Sequence, residues 1–375
     1  MTAAPKAYLY LGVFLTSLSA VVFEVTLTRI FSVTLWYHFA YFVVSMALFG
    51  LGAGGFPAFF LRRDVVDRFP RILTEAAALQ FASIVLCAVV ILNFKFSIGF
   101  SAQGLTHFLL AYLVCSLPFI CTGFILSAAF RNLPQETPAL YAVDLAGSAV
   151  GCILFIAAIS WVSGPAVVIL AAFLCLSALQ SFSRFSRRRL PRGAGLGLTA
   201  VAVATLLALN ATDIFRVKFA KYYDEKDLAS RIVLEKWSPL ARITVYDRPF
   251  FAADPNRPFM WGASPTYGFP RPVSQLWVEQ DASAGTPITH FRGDFSEVKH
   301  LRFDLTSLVY HVKPGARTFI VGAGGGRDIL TALSFQSPYV KACEINPVIV
   351  DVVKNRFREF TGGLYELPQV SVEVA

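Results

Sequence analysis

Chemistry in this chain is concentrated in the stretch "TFIVGAGGGRDILTAL", residues 318–333. Gly322, Gly324, Gly325 and Gly326 follow an apolar run and precede a helical one. Backbone that bare lets a ligand approach the main chain where a strand turns into a helix. Glu344 stands 22 residues after Gly322, at the end of the next apolar run, "YVKACEI". A carboxylate there can accept hydrogen bonds from both hydroxyls of a ribose. The dinucleotide fingerprint requires glycine at its sixth position, where this chain has Arg327. What stands here is GxGxG over Gly322, Gly324 and Gly326. The competing reading is a tight strand-to-helix turn with no ligand.

A second group of reactive side chains lies among apolar residues. Glu24 in "AVVFEVTLTRIF", Arg29 five positions later and Asp144 in "LYAVDLAGSAVG" are ionisable groups inside long hydrophobic runs. Such groups are expensive in lipid and either fix helix packing or line a proton or substrate pathway. Five residues turn a helix by about 500°, so Glu24 and Arg29 share no face and need partners elsewhere.

The elements that must position these groups follow from composition. Of the 375 residues 55% are hydrophobic and 15% charged, with mean hydropathy +0.59; a soluble domain carries about 25% charged residues. Residues 1–210 hold 13 Lys/Arg against 6 Asp/Glu, and the rest 20 against 18. The net charge of +9 therefore belongs mostly to membrane flanks and gives no reason to expect nucleic-acid binding. Five of the six cysteines fall in apolar segments and no pair has metal-ligand spacing, so neither disulfides nor zinc is expected.

Six membrane spans are expected, at about 8–28, 36–61, 72–93, 106–130, 140–161 and 164–183, with a short, weak seventh at about 194–210. The GxxxG of Gly147 and Gly151, and "FGLGAGG" in the second span, read as close helix packing. Arginines cluster after spans two, four and six, which places those loops and the N-terminus in the cytoplasm. With six spans the following residues are also cytoplasmic, whereas a seventh crossing would put them outside.

From about 230 the pattern changes. "RIVLEKWSPLARITVYDRPF", "SQLWVEQ" and "PITHF" read as strands of a small β-rich subdomain. "RTFIVGAG", "GRDILTALSF", "YVKACEI", "NPVIVDVVKNRFREF" and "PQVSVEVA" then read as β-α-β-α-β, the opening of a Rossmann-like parallel sheet. The expected division is thus a multi-pass domain over 1–210, a linker over 211–229, the β-rich subdomain over 230–300 and an adenosyl-ligand domain over 301–375.

The glycine loop looks like the S-adenosylmethionine loop of class I methyltransferases. Those enzymes carry an acid two residues before the first glycine, where this chain has Ile320; an apolar residue there is closer to spermidine synthases. "SLVYHVKPGARTFIVGAGGG" and "ACEINPVIVDVV" resemble the spermidine synthase stretches, with His311 at a matching position and Glu344 as the ribose-binding acid. "SAVVFEVTLTRIFSV", "MALFGLGAGG" and "YAVDLAGSAVG" look like the membrane-spanning spermidine-synthase-like proteins of bacteria. The resemblance implies a protein of the bacterial cell membrane with a cytoplasmic domain that takes S-adenosylmethionine or its decarboxylated form. It further implies aminopropyl or methyl transfer to an amine or other nucleophile. The departures are specific. The family's amine-gripping Asp is matched by Gly325, with Asp328 three residues later, and its Tyr-His-Glu run by Leu305, Thr306 and Ser307. The family's catalytic Asp follows the third strand, which ends at Ala375 here, so no catalytic residue is assigned. A domain of this type needs about five to seven strands, and with three the chain is expected to be a non-catalytic piece of a longer protein. The alternative is a transport or sensory membrane protein with a degenerate nucleotide-type domain.

Overall fold

The computed structural model describes residues 3–35, 39–60, 68–96, 101–186, 213–251, 257–270 and 272–375, with isolated positions between 197 and 208. The chain divides into two compact units, Met1–Lys226 and Asp227–Ala375.

The first unit is a helical bundle: α1 (Ala3–Thr34), α2 (Ala40–Phe59), α3 (Phe69–Asn93), α4 (Ala102–Asn132), α5 (Thr137–Ile159) and α6 (Gly164–Phe185). All six are long and apolar enough to cross a membrane, which makes this a multi-pass membrane protein. Ser101 and Ser163 cap α4 and α6 by accepting from the backbone N–H of Gly104 and Ala166. Glycines set the closest approaches. A Cβ on Gly54 would lie 2.1 Å from the Ile120 carbonyl oxygen of α4, and one on Gly147 would lie 2.4 Å from that of Phe14 in α1. Both small-residue motifs therefore serve backbone contact between spans.

The polar groups of the spans tie helices together. Ser17 of α1 donates to the Asp144 carboxylate of α5. Arg29 donates to Ser32 on its own helix, 3.1 Å away. The Glu24 carboxylate, half-buried, has no partner among the described residues.

One end of the bundle is basic. Lys6 and Tyr10 donate to Glu136, Arg131 donates to the Ala58 carbonyl, and the Arg184 guanidinium lies 5.8 Å from the Tyr8 ring centre. The starts of α1 and α5 and the ends of α2, α4 and α6 thus lie together. Residues 213–226, expected to be linker, pack instead at the opposite end. Asn93 at the end of α3 donates to the Ile214 carbonyl, Lys221 N–H to the Val33 carbonyl at the end of α1, and Lys95 pairs with Asp224. The weak span at 194–210 lies outside the described residues, apart from those isolated positions.

The second unit begins with β1 (Ile232–Trp237), β2 (Arg242–Tyr246), β3 (Gln275–Gln280) and β4 (Ala284–Thr289), an antiparallel sheet in that order. A short helix, α7 (Leu308–Val312), leads to β5 (Thr318–Val321), α8 (Arg327–Ser334), β6 (Val340–Glu344), α9 (Pro347–Asp351) and β7 (Val370–Val374). Strands β5, β6 and β7 are parallel and adjacent in that order. The long helix expected after β6 is shorter. It widens into a π turn at Val352–Arg356, where Phe357 N–H reaches the Val352 carbonyl. The Thr361 hydroxyl then bonds the Arg358 carbonyl as the chain turns back. Ile243, Val245, Val278 and Ile288 of the first sheet share one buried cluster with Ile320, Val340 and Ala342 of the second, and with Ile329 and Leu333 of α8. Both sheets therefore rest on one core, which fixes β4 against the glycine loop. The other face of β5 is open, with Phe319 61% and Val321 80% exposed.

Candidate functional site

Gly322, Gly324 and Gly326 all have positive φ, +82°, +55° and +82°, a region that L side chains enter at a cost of roughly 1–2 kcal/mol. Three such residues within five positions coil the chain tightly between β5 and α8. Gly325 is required for a different reason. A Cβ there would lie 2.4 Å from the Pro287 carbonyl oxygen, so β4 backbone covers that side of the loop. A Cβ on Gly322 would meet nothing within 4 Å, which marks the open side.

Most of the loop's N–H groups bond within the protein. Gly322 and Ala323 donate to the Cys343 carbonyl, at 2.9 and 3.1 Å, and Gly326 to Ala323 at 3.0 Å. Gly324 donates to Glu344 Oε2 at 3.0 Å. A phosphate cradle needs such groups free to point at the ligand. This loop offers few, which argues against a ligand held by its phosphates.

Glu344 is buried and braced at both oxygens: Oε2 by Gly324 and Oε1 by the Asn346 N–H at 3.0 Å. Each oxygen keeps lone-pair capacity for a further donor. Asn346 also caps α9, its Oδ1 accepting from the Val348 N–H, with Pro347 in the first helical position. The Tyr365 hydroxyl donates to the Gly324 carbonyl at 2.8 Å. Burial, with help from the nearby Glu344 charge, pushes its ionisation far above the ordinary range, so it remains a donor. The sequence pattern did not single out Asn346 or Tyr365. Tyr365 lies 41 positions from Gly324, and only the turn before β7 brings it under the loop.

The remaining predicted residues separate. Asp328, on the first turn of α8, is partly exposed and accepts from Arg327 Nη2 at 2.6 Å. His311 does not join the glycine loop. Its Nε2 is 2.8 Å from the Arg302 carbonyl, and its ring packs edge-on against Phe335, the residue that ends α8. The loop is at the other end of that helix.

Arg327, in place of the sixth-position glycine, is buried and paired with the buried Asp304 at 3.0 Å. Asp304 also accepts from the N–H groups of Trp261, Gly262 and Thr306. Beside this pair His300 is fully buried, and neither ring nitrogen has a hydrogen-bond partner among the described residues. Burial lowers its pKa to about 4; the Asp304 charge works against that shift and the Arg327 charge with it. A folded value below the ordinary one means that the unfolded chain binds the proton first. Stability is therefore complete above pH 6.5 and falls as pH drops from there toward 4, by ~2 kcal/mol at pH 5. Thermal scans at pH 7 and pH 5 should show this loss in the native chain and a smaller one in His300→Leu.

Among the described residues no three His, Cys, Asp or Glu are placed to hold a metal ion. The chain matches no family model, no curated protein and no solved structure.

Proposed function

We propose that the second unit is an adenosyl-ligand domain of the Rossmann-like kind, anchored by the helical bundle in a bacterial cell membrane. Its ligand is S-adenosylmethionine or decarboxylated S-adenosylmethionine. One observation carries the reading: Gly324, between two further left-handed glycines, is hydrogen-bonded to Glu344 at the end of the adjacent parallel strand. That arrangement puts an acid with spare acceptor capacity at the carboxyl ends of β5 and β6, where ligands of parallel sheets sit. The GxGxG spacing and the resemblance to spermidine synthases supply the sulfonium part of the ligand. In its active form such a protein transfers an aminopropyl or methyl group. A nucleophile attacks the carbon next to the sulfonium, and the sulfur leaves with the bonding pair as a thioether. The protein's part is positioning and a base. No residue of this chain is assigned as that base, and the chain is read as binding without catalysis. Equilibrium dialysis of the detergent-solubilised protein against S-adenosylmethionine and against its decarboxylated form should give saturable binding of at least one of them to a single site; binding of neither would sink the proposal.

One observation favours a second reading, a membrane transport or sensory protein with a degenerate nucleotide-type domain. Residues 213–226 lie at the end of the bundle away from Lys6, Arg131 and Arg184. If the basic end is cytoplasmic, the chain enters its second unit from outside, away from a donor made in the cytoplasm. The two readings therefore require opposite orientations. A reporter fused at residue 215 separates them: a cytoplasmic signal goes with the transferase-like protein, an external one with the sensor or transporter.

A further inference from the structure

Gly324 is held on both sides of its α-carbon. Its N–H is bonded to Glu344, and its carbonyl receives the Tyr365 hydroxyl. Tyr365 and Leu364 are 5% and 1% exposed, and Leu364 lies so close beneath Gly326 that a Cβ there would be 2.6 Å from its Cδ2. The turn that delivers them is tight. Gly362 and Gly363 both have positive φ, +62° and +65°, and a Cβ on Gly362 would lie 2.5 Å from the Phe291 carbonyl oxygen. Leu364 and Tyr365 thus form a floor under the loop.

We infer that Tyr365 is a positioning residue for the adenosyl site: its hydroxyl fixes the left-handed Gly324 peptide, and through it the Glu344 carboxylate, before a ligand arrives. A loop ordered in advance does not have to lose its freedom on binding, which strengthens affinity without touching the ligand. The inference rests on the adenosyl reading for its ligand and on the hydrogen bonds alone for its geometry. Burial keeps the phenol protonated, so the bond persists across the physiological pH range.

Tyr365→Phe in the full chain, in detergent, removes the hydroxyl and keeps the ring in the core. Hydrogen exchange read by mass spectrometry on the 322–330 segment should speed up about five- to tenfold, the worth of one buried hydrogen bond. Exchange elsewhere in the second unit should stay as it was. Affinities for S-adenosylmethionine and for S-adenosylhomocysteine should fall by a similar factor, because the shared adenosyl part meets the loosened loop. Unchanged loop exchange, or a uniform rise across the unit, would overturn the positioning role. Faster loop exchange in a protein that binds neither compound would uphold that role and remove the proposed ligand.

Discussion

Asp304→Ala is expected to lower the melting temperature of the second unit by about 10 °C or more. Among the described residues Asp304 is the only buried partner of the Arg327 guanidinium; the other carboxylate, Asp328, is 44% exposed. Removing it leaves a buried guanidinium short of its counter-charge, which costs about 3–5 kcal/mol. It also strips an acceptor from the N–H groups of Trp261, Gly262 and Thr306, which hold the 261–262 segment against the start of α8. Tryptophan fluorescence during a thermal scan would follow the change, since Trp237, Trp261 and Trp277 all belong to this unit. Asp304→Asn keeps the size and much of the hydrogen bonding and should fall between the two. A shift of only a degree or two for Asp304→Ala would show that the pair contributes little.

Gly325→Asp, which introduces the acid that spermidine synthases carry in their glycine loop, is expected to abolish ligand binding rather than create an amine site. The new Cβ would lie 2.4 Å from the Pro287 oxygen and 2.9 Å from its carbonyl carbon. That backbone belongs to β4, which is paired along its length with β3, so the loop must give way. Overpacking of this kind costs about 1–3 kcal/mol, and the loop that moves is the one that carries Gly324. Gly315→Ala is the control for backbone strain: its φ is also positive, +68°, its Cβ would meet nothing nearer than 3.9 Å, and it lies in the turn before β5, outside the loop. Retained binding in Gly325→Asp would mean that β4 does not cap the loop. The same contact bears on substrate, because it excludes a carboxylate from the place where the resemblance requires one to grip a polyamine.

Much of this architecture was legible from residue patterns. Six apolar runs became six helices, since a span must satisfy its own backbone and has few alternatives. The strand–glycine–helix–strand–acid order around Gly322 and Glu344 was readable because each element has its own periodicity. Contacts set by distant residues were not. The approach of β4 to Gly325, the reach of Tyr365 to Gly324 and the Asp304–Arg327 pair each join positions 20 or more residues apart. Arg327 read only as a broken fingerprint, and its buried partner shows what the side chain does. The resemblance left His311 either on the substrate side or structural, and its packing against Phe335 lies at the end of α8 away from the loop. Residues 213–226 had the composition of a linker, and only Asn93, Lys95 and Val33 reveal where they pack.

The central claim is that Glu344 and the glycine loop form an adenosyl site, and calorimetric titration tests it most directly. The chain in detergent, titrated with S-adenosylmethionine and with its decarboxylated form, should bind at least one of them at a single site. Glu344→Ala should weaken that binding about 100-fold, the loss of two hydrogen bonds to a charged acceptor. No heat with either compound, or equal affinity in Glu344→Ala, would contradict it.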